Sequence, residues 1–149
     1  MDRIPFDEYL FNIVKEVAKR STCLRRQVGA VIVKDKQIIS TGYNGAPSGC
    51  VHCLDIGCIR EKLGIKSGER YDICRAGHAE FNAIAQAAKH GIATKGSIIW
   101  TQWIPCSYCA KAIINSGIIS VHVIYNDVLD PLGRDLLEEA HVSVEVLHK

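Results

Sequence analysis

Two short motifs carry residue types able to hold a metal and move protons. His78-Ala79-Glu80 offers an imidazole and a carboxylate two positions apart, and Pro105-Cys106-Ser107-Tyr108-Cys109 offers two thiols at the C-x-x-C spacing. Two cysteines and a histidine form a borderline-soft set that suits zinc, and three protein ligands leave a fourth position for water, the pattern of a catalytic centre. Two thiolates already neutralise the dication, so the water is less acidified than beside three imidazoles and a neighbouring base is needed. Glu80 meets that need: it lies within one helical turn of His78 but points away from the metal, so it can take a proton and return it elsewhere. A lone C-x-x-C belongs as readily to a structural zinc or a redox pair, and a lone H-x-E is common by chance. The combination decides, because a redox pair has no use for His78 and Glu80, and a structural zinc has no use for Glu80.

Each motif opens a predicted helix, over 78–90 and 106–116, and helix amino termini favour the thiolate form of Cys106 and Cys109. Pro105 suits such a boundary. Phe6, Leu10, Ile13, Val14 and Val17 recur at three- and four-residue steps and predict an amphipathic helix over 5–20, with Pro5 near its first turn. Strands are expected at 28–33 and 37–43 around a Lys34-Asp35-Lys36 hairpin tip; the first is apolar on both faces and reads as central. Further on, strands at 97–101, 119–125 and 142–147 alternate with helices, including one at 132–140, which argues an α/β fold with a parallel or mixed sheet covered on both faces. Residues 44–75 are rich in glycine, show little periodicity and hold five potential metal ligands. A structureless loop of that length is unusual in a compact domain, and metal is the candidate for what holds it.

The chain has 149 residues, 48% apolar and 23% charged, which fits one globular domain over 1–149 with the 44–75 segment inserted in it, and excludes collagen, coiled coil and wholesale disorder. Counting glycine as apolar, the longest apolar run is Val28 to Val33, six residues, against the roughly 20 a membrane helix needs. No membrane partner is expected, and the absence of a secretory pattern at the amino terminus leads to a cytoplasmic reading. A formal charge of +2 is too balanced for a non-specific nucleic-acid binder, while a small anionic ligand still fits. Seven cysteines, an odd number in a reducing compartment, point to metal ligation or catalysis rather than a disulfide framework.

The chain resembles the deoxycytidylate deaminases of the cytidine deaminase superfamily over nearly its whole length. Beyond the two zinc motifs, the likeness rests on Val28-Gly29-Ala30-Val31-Ile32-Val33, on Gly42-Tyr43-Asn44-Gly45-Ala46-Pro47, on Cys74-Arg75, and on Asn82, which completes the pattern H-A-E-x-N-A-I. The zinc motifs are shared by many deaminases. Gly-Tyr-Asn-Gly followed by the Cys-rich insertion is more discriminating and points to a nucleoside monophosphate. The resemblance implies a three-layer cytidine-deaminase-like fold, a mixed five-stranded sheet flanked by helices, and the reaction of dCMP with water to give dUMP and ammonia, a supply for dTMP synthesis. One departure is Gln102, where similar proteins more often place a threonine.

An antiparallel hairpin sets Arg25 and Arg26 beside Asn44 to Pro47, forming a pocket rim. Arginine can grip phosphate with paired donors and Asn44 can bridge to a sugar hydroxyl; the resemblance favours Arg26 and Asn44 for these roles, with a solvated charge as the plain alternative for either arginine. Ala79 is placed among the substrate-contacting residues, and Tyr125, ending its strand, packs either on the nucleoside or in the core. Cys23, Cys53, Cys58 and Cys74 could close a tetrahedral structural site, and the resemblance implies a second zinc on these four, with Cys50 incidental. His52 is the rival ligand, and small buried hydrophobes are the alternative reading of the thiols. His90, His122, His141 and His148 have no ligand-like spacing. The resemblance also implies a homo-oligomer, often a hexamer, activated by dCTP and inhibited by dTTP with magnesium. Two rivals stand beside it: a tRNA adenosine or riboflavin-pathway deaminase, and a non-enzymatic zinc module. The balanced charge argues against tRNA, and Glu80 against the module.

Overall fold

The computed structural model describes residues 1–147, so His148 lies outside the described residues. Helix α1 (Phe6–Ala18) starts after Pro5, with Asp7 and Glu8 in its first turn and Lys15 in its last, as the helix dipole favours. Strands β1 (Gly29–Lys34) and β2 (Gln37–Tyr43) form the expected hairpin, turning through Asp35 and Lys36 at left-handed φ values of 50° and 62° that match the strands' twist. With β3 (Ile98–Thr101), β4 (Ser120–Val123) and β5 (Ser143–Val146) they make one sheet in the order β2-β1-β3-β4-β5. β1 runs antiparallel to both its neighbours, whereas β3, β4 and β5 are parallel, so the sheet is mixed.

Alternation along β1 explains why its run is apolar throughout. Val31 and Val33 join Leu10, Phe11 and Val14 of α1 and Trp100 of β3 on one face. Ala30 and Ile32 face the other way, into a larger core with Ile99, Val121 and Val123 of the sheet. That core is closed by Ala83 of α4 (Ala79–Lys89), Ile113 of α5 (Ser107–Asn115) and Leu137 of α6 (Pro131–Glu139). The result is the three-layer α/β fold expected.

The boundaries differ in instructive ways. His78 and Cys106 stand one residue before their helices, as caps. β4 ends at Val123, where its pairing with Val146 of β5 ends, so Tyr125 lies beyond the strand. The segment expected as an irregular loop contains the one-turn helices α2 (Cys53–Ile56) and α3 (Ile59–Lys62) and a 3-10 turn at Tyr71–Ile73. Its two ends are pinned together by Gly45 and Gly77, which exchange backbone hydrogen bonds of 3.1 and 2.8 Å. Inside it, Arg25 donates to the Ile65 carbonyl and Arg60 to that of Lys66. His122 sits on β4 with its ring 4.3 Å from that of Trp100, while His90 and His141 are exposed. Among the described residues no helix is long and apolar enough to cross a membrane.

Candidate active site

The amino termini of α4 and α5 meet at the end of the sheet where β3 finishes beside the start of β1. Two close approaches place them there. A Cβ at Gly42 of β2 would lie 2.3 Å from the Ala83 nitrogen and 2.4 Å from the Ala79 oxygen, so α4 rests directly on β2. A Cβ at Gly133 of α6 would lie 2.2 Å from the Pro105 oxygen, so α6 presses against the lead-in to α5. Any larger residue at either position would push a helix start outward.

His78 caps α4, Cys106 caps α5, and Cys109 follows within the first turn of α5. The sulfurs of Cys106 and Cys109 lie 3.4 and 3.5 Å from His78 Nδ1. A tetrahedral zinc with bonds of about 2.3 Å to sulfur and 2.0 Å to nitrogen has a sulfur–nitrogen edge of roughly 3.5 Å, so the donor set and its spacing both fit that ion. Among the described residues this is the one group of three or more such side chains whose ligand atoms all lie within 4.8 Å of one another.

The titration of the group follows from its crowding. A hydrogen bond from Cys109 holds the Cys106 thiol well below its ordinary range despite burial, with His78 helping. The same hydrogen bond, with burial, pushes Cys109 far up. Burial pulls His78 down, but the hydrogen bond with Cys106 and the charges of Glu80 and Cys106 outweigh it and raise the ring overall. Glu80, 7% exposed, is raised by burial against the pull of His78. Its Oε1 lies 3.1 Å from Thr101 Oγ1, at the end of β3.

A cleft opens over this group, lined by Arg25, Arg26, Asn44, Arg60, Tyr71, His78, Ala79, Glu80, Trp103, Cys106, Asp127 and Asp130. Arg26 lies across the Trp103 ring at 4.5 Å. Asn44 is buried and fixed from both ends of its amide: Oδ1 accepts from the Val28 N–H at 2.9 Å and Nδ2 donates to the Arg26 carbonyl at 2.7 Å. One amide proton and one lone pair remain for a ligand. Arg25 is no solvated charge: its side chain is 15% exposed and lies 3.5 Å from Glu61. Tyr125 is 43% exposed, so it is not core; its ring stands 5.3 Å from that of Trp103, which lines the cleft. Gln102 also turns away from the cleft, its Oε1 accepting from the Gly29 N–H at 2.9 Å.

Four residues at this site escaped the sequence reading. Tyr71 sets its ring edge-on to His78 at 4.7 Å, and the guanidinium of Arg60, 6% exposed, lies 5.1 Å over Tyr71. Both come from the insertion, where no periodicity marks them. Trp103 stands two residues before Pro105, and that nearness to the zinc motif was the available signal. Thr101 lies in an apolar strand, and a threonine there was the only cue.

Cys23 and the insertion's cysteines are gathered less tightly. Cys53 and Cys58 are buried, and Cys23 and Cys74 line the cleft. Burial raises the Cys53 thiol, and the nearby Cys23, Cys58 and Cys74 raise it further. Cys50 and His52 are exposed.

Residues 5–125 match the family described as the cytidine and deoxycytidylate deaminase zinc-binding region. The chain is 41% identical over 146 residues to ComE operon protein 2 of Bacillus subtilis, an alignment covering 97% of this chain and 72% of that one. It is 35% identical to the deoxycytidylate deaminase of Schizosaccharomyces pombe, covering 95% of this chain but spanning only 44% of that longer protein. The fold superposes on the crystal structure of a dCMP deaminase from the cyanophage S-TIM5 in complex with dCMP and dUMP, with a TM-score of 0.81 and 28% identity over 99% of this chain and 100% of that one. The two zinc motifs, the geometry they adopt and these likenesses agree: the chain belongs to the cytidine and deoxycytidylate deaminase family.

Proposed function

We propose that the protein catalyses the zinc-dependent hydrolytic deamination of dCMP to dUMP and ammonia. The observation that carries this reading is a buried carboxyl, Glu80, beside a His78-Cys106-Cys109 ligand set at the floor of a cleft rimmed by arginine and asparagine. Zinc held by those three residues would act as a Lewis acid toward the attacking water. Glu80 takes a proton from that water and delivers it to N3 of cytosine, which makes C4 electrophilic as the new carbon–oxygen bond forms. The carboxylate then passes the second proton to the exocyclic amine, so the carbon–nitrogen bond breaks with ammonia, not amide anion, leaving.

Arg26, lying over the Trp103 ring, is the phosphate ligand in this reading, and Asn44, fixed between strand ends, contacts the sugar. Ala79 opens α4, where first-turn N–H groups lack partners within the helix, and lies against the ring. Tyr125 supports the nucleoside side through Trp103. We place a second, structural zinc on Cys23, Cys53, Cys58 and Cys74, whose support is the resemblance and the nearness of the other three thiols to Cys53 rather than a closed ligand group. The working protein is a single deaminase domain over 1–149, cytoplasmic, assembled as a homo-oligomer such as a hexamer, with dCTP and dTTP, the latter with magnesium, as effectors. A substrate panel with ammonia release as readout tests the reading: dCMP is expected to be preferred over deoxycytidine and over adenosine in tRNA, and ammonia from tRNA alone would overturn it.

A further inference from the structure

We propose that Thr101 is the positioning residue of Glu80: its hydroxyl, set between the Gly29 carbonyl and the carboxyl, fixes which carboxyl oxygen faces the reaction. The inference rests on the deaminase reading above. Thr101 ends β3 and is fully buried. Its Oγ1 lies 2.9 Å from the Gly29 carbonyl oxygen and 3.1 Å from Glu80 Oε1. A hydroxyl has one proton and two lone pairs, so it donates to one of these oxygens at a time. Turned toward Glu80 it donates to a carboxylate. It can donate to Oε1 in the same way when the transferred proton sits on Oε2, because Oε1 remains an acceptor in the acid form. The same contact thus serves both forms that a proton-carrying carboxyl passes through during turnover.

The anchor itself is rigid. Gly29 begins β1 and its N–H is held by Gln102, while Thr101 is itself paired in β3, so the backbone on both sides of the hydroxyl is fixed whichever oxygen it donates to. Oε1 is thereby pinned toward the sheet, which leaves Oε2 as the oxygen presented to the cleft that Glu80 lines. Valine would fill the same space without the hydroxyl.

The test measures kcat and KM for dCMP, metal content and Tm in the wild type and in Thr101→Val, Thr101→Ser and Thr101→Ala. Misplacing a catalytic group by a fraction of an ångström to an ångström predicts that Thr101→Val and Thr101→Ala lower kcat by about 10- to 100-fold, with KM and zinc content unchanged. Thr101→Ser should recover most of the loss. If Thr101→Val does not fold, the serine and alanine variants carry the same contrast between small side chains with and without a hydroxyl. Near-normal kcat in the alanine variant overturns the inference, as does a serine variant as slow as alanine or a KM that rises in step with the fall in kcat. A wild type that releases no ammonia overturns the deaminase reading and Thr101 with it, whereas an active wild type with indifferent Thr101 variants overturns Thr101 alone.

Discussion

The chain's cysteines fall in two regions that are built on opposite plans. At the sheet end, Cys106 and Cys109 stand with His78 on the first turns of α4 and α5, helices of 11 and 9 residues set in place by packing on Gly42 and Gly133. In the insertion, Cys53 and Cys58 belong to or cap helices of four residues, too short to persist alone. What holds that segment is closure: the Gly45–Gly77 bridge, and arginines donating to the Ile65 and Lys66 carbonyls. The first region has its ligand geometry written by secondary structure, so its shape is expected to be independent of what it binds. The second region depends on the contacts between its own residues, and a metal there would be part of what folds it. Substitutions in the two regions should therefore fail differently, in chemistry at the sheet end and in stability in the insertion.

The largest effect is expected at Glu80. Glu80→Gln keeps the size of the side chain but cannot carry a proton, so dCMP turnover should fall by about 10⁴, the upper end for general acid–base catalysis. Zinc content and Tm should stay near wild type, because neither ligands nor packing change. Near-normal turnover would remove the acid–base role and break the comparison at its chemical side.

Cys53→Ser probes the opposite failure. With a structural zinc on Cys23, Cys53, Cys58 and Cys74, metal analysis should read about two zinc ions per chain in the wild type and one in the variant. Loss of a structural metal ranks among the large destabilisations, on the order of 3 kcal/mol here, or roughly 6–12 °C in Tm for a domain of this size. One zinc in the wild type together with a stable Cys53→Ser would make these thiols buried hydrophobes, and the insertion would then be held by hydrogen bonds alone.

How much could be read beforehand divides along the same line. The three layers were legible because α1 carries its apolar stripe at helical spacing and β1 is apolar from Gly29 to Val33, on both faces, which only an interior strand needs. The zinc group was legible because each half of it is local, H-x-E on one helix start and C-x-x-C on the next. Tyr71 and Arg60 were not, since they reach His78 through tertiary closure of a segment without period. Spacing alone did not separate the adjacent arginines, and only the resemblance favoured Arg26: Arg25 turns into the insertion toward Glu61 and Ile65, while Arg26 turns onto Trp103. That choice depends on where two distant loops come to rest.

Arg26 links the two regions, because its backbone holds Asn44 while its side chain lies over the cleft. A charge-assisted phosphate contact is worth about 1.5–3 kcal/mol, so wild-type kcat/KM should favour dCMP over deoxycytidine by roughly 10- to 150-fold. Arg26→Ala should erase most of that preference while leaving deoxycytidine turnover nearly unchanged, since the reacting ring meets the same Glu80. Equal kcat/KM for the two substrates in the wild type would remove the phosphate from the recognition argument.

The smallest expected effect tests whether the sheet end holds its shape without help from metal. Asp130 precedes α6, and its Oδ2 accepts from the Ser107 N–H at 2.7 Å, satisfying a first-turn donor of α5 next to Cys106. Burial pulls this carboxyl upward, but the bonds from Ser107 prevail and hold it below the ordinary range. A carboxylate with a lowered folded-state pKa adds stability at neutral pH, and that contribution fades as the pH falls below about 4 and through the folded value. Asp130→Ala should cost about 1 kcal/mol, the usual loss for a helix amino-terminal acceptor, or roughly 2–4 °C in Tm at pH 7. The gap from wild type should narrow in acid, and Asp130→Asn, which keeps an acceptor but not the charge, should fall between the two at pH 7. Because the contact is made by backbone and carboxylate rather than by a ligand, the same gap should appear in chelator-treated protein. A gap that vanishes on chelation would mean that zinc, not helix packing, sets the start of α5, and the two regions would then be held by the same means.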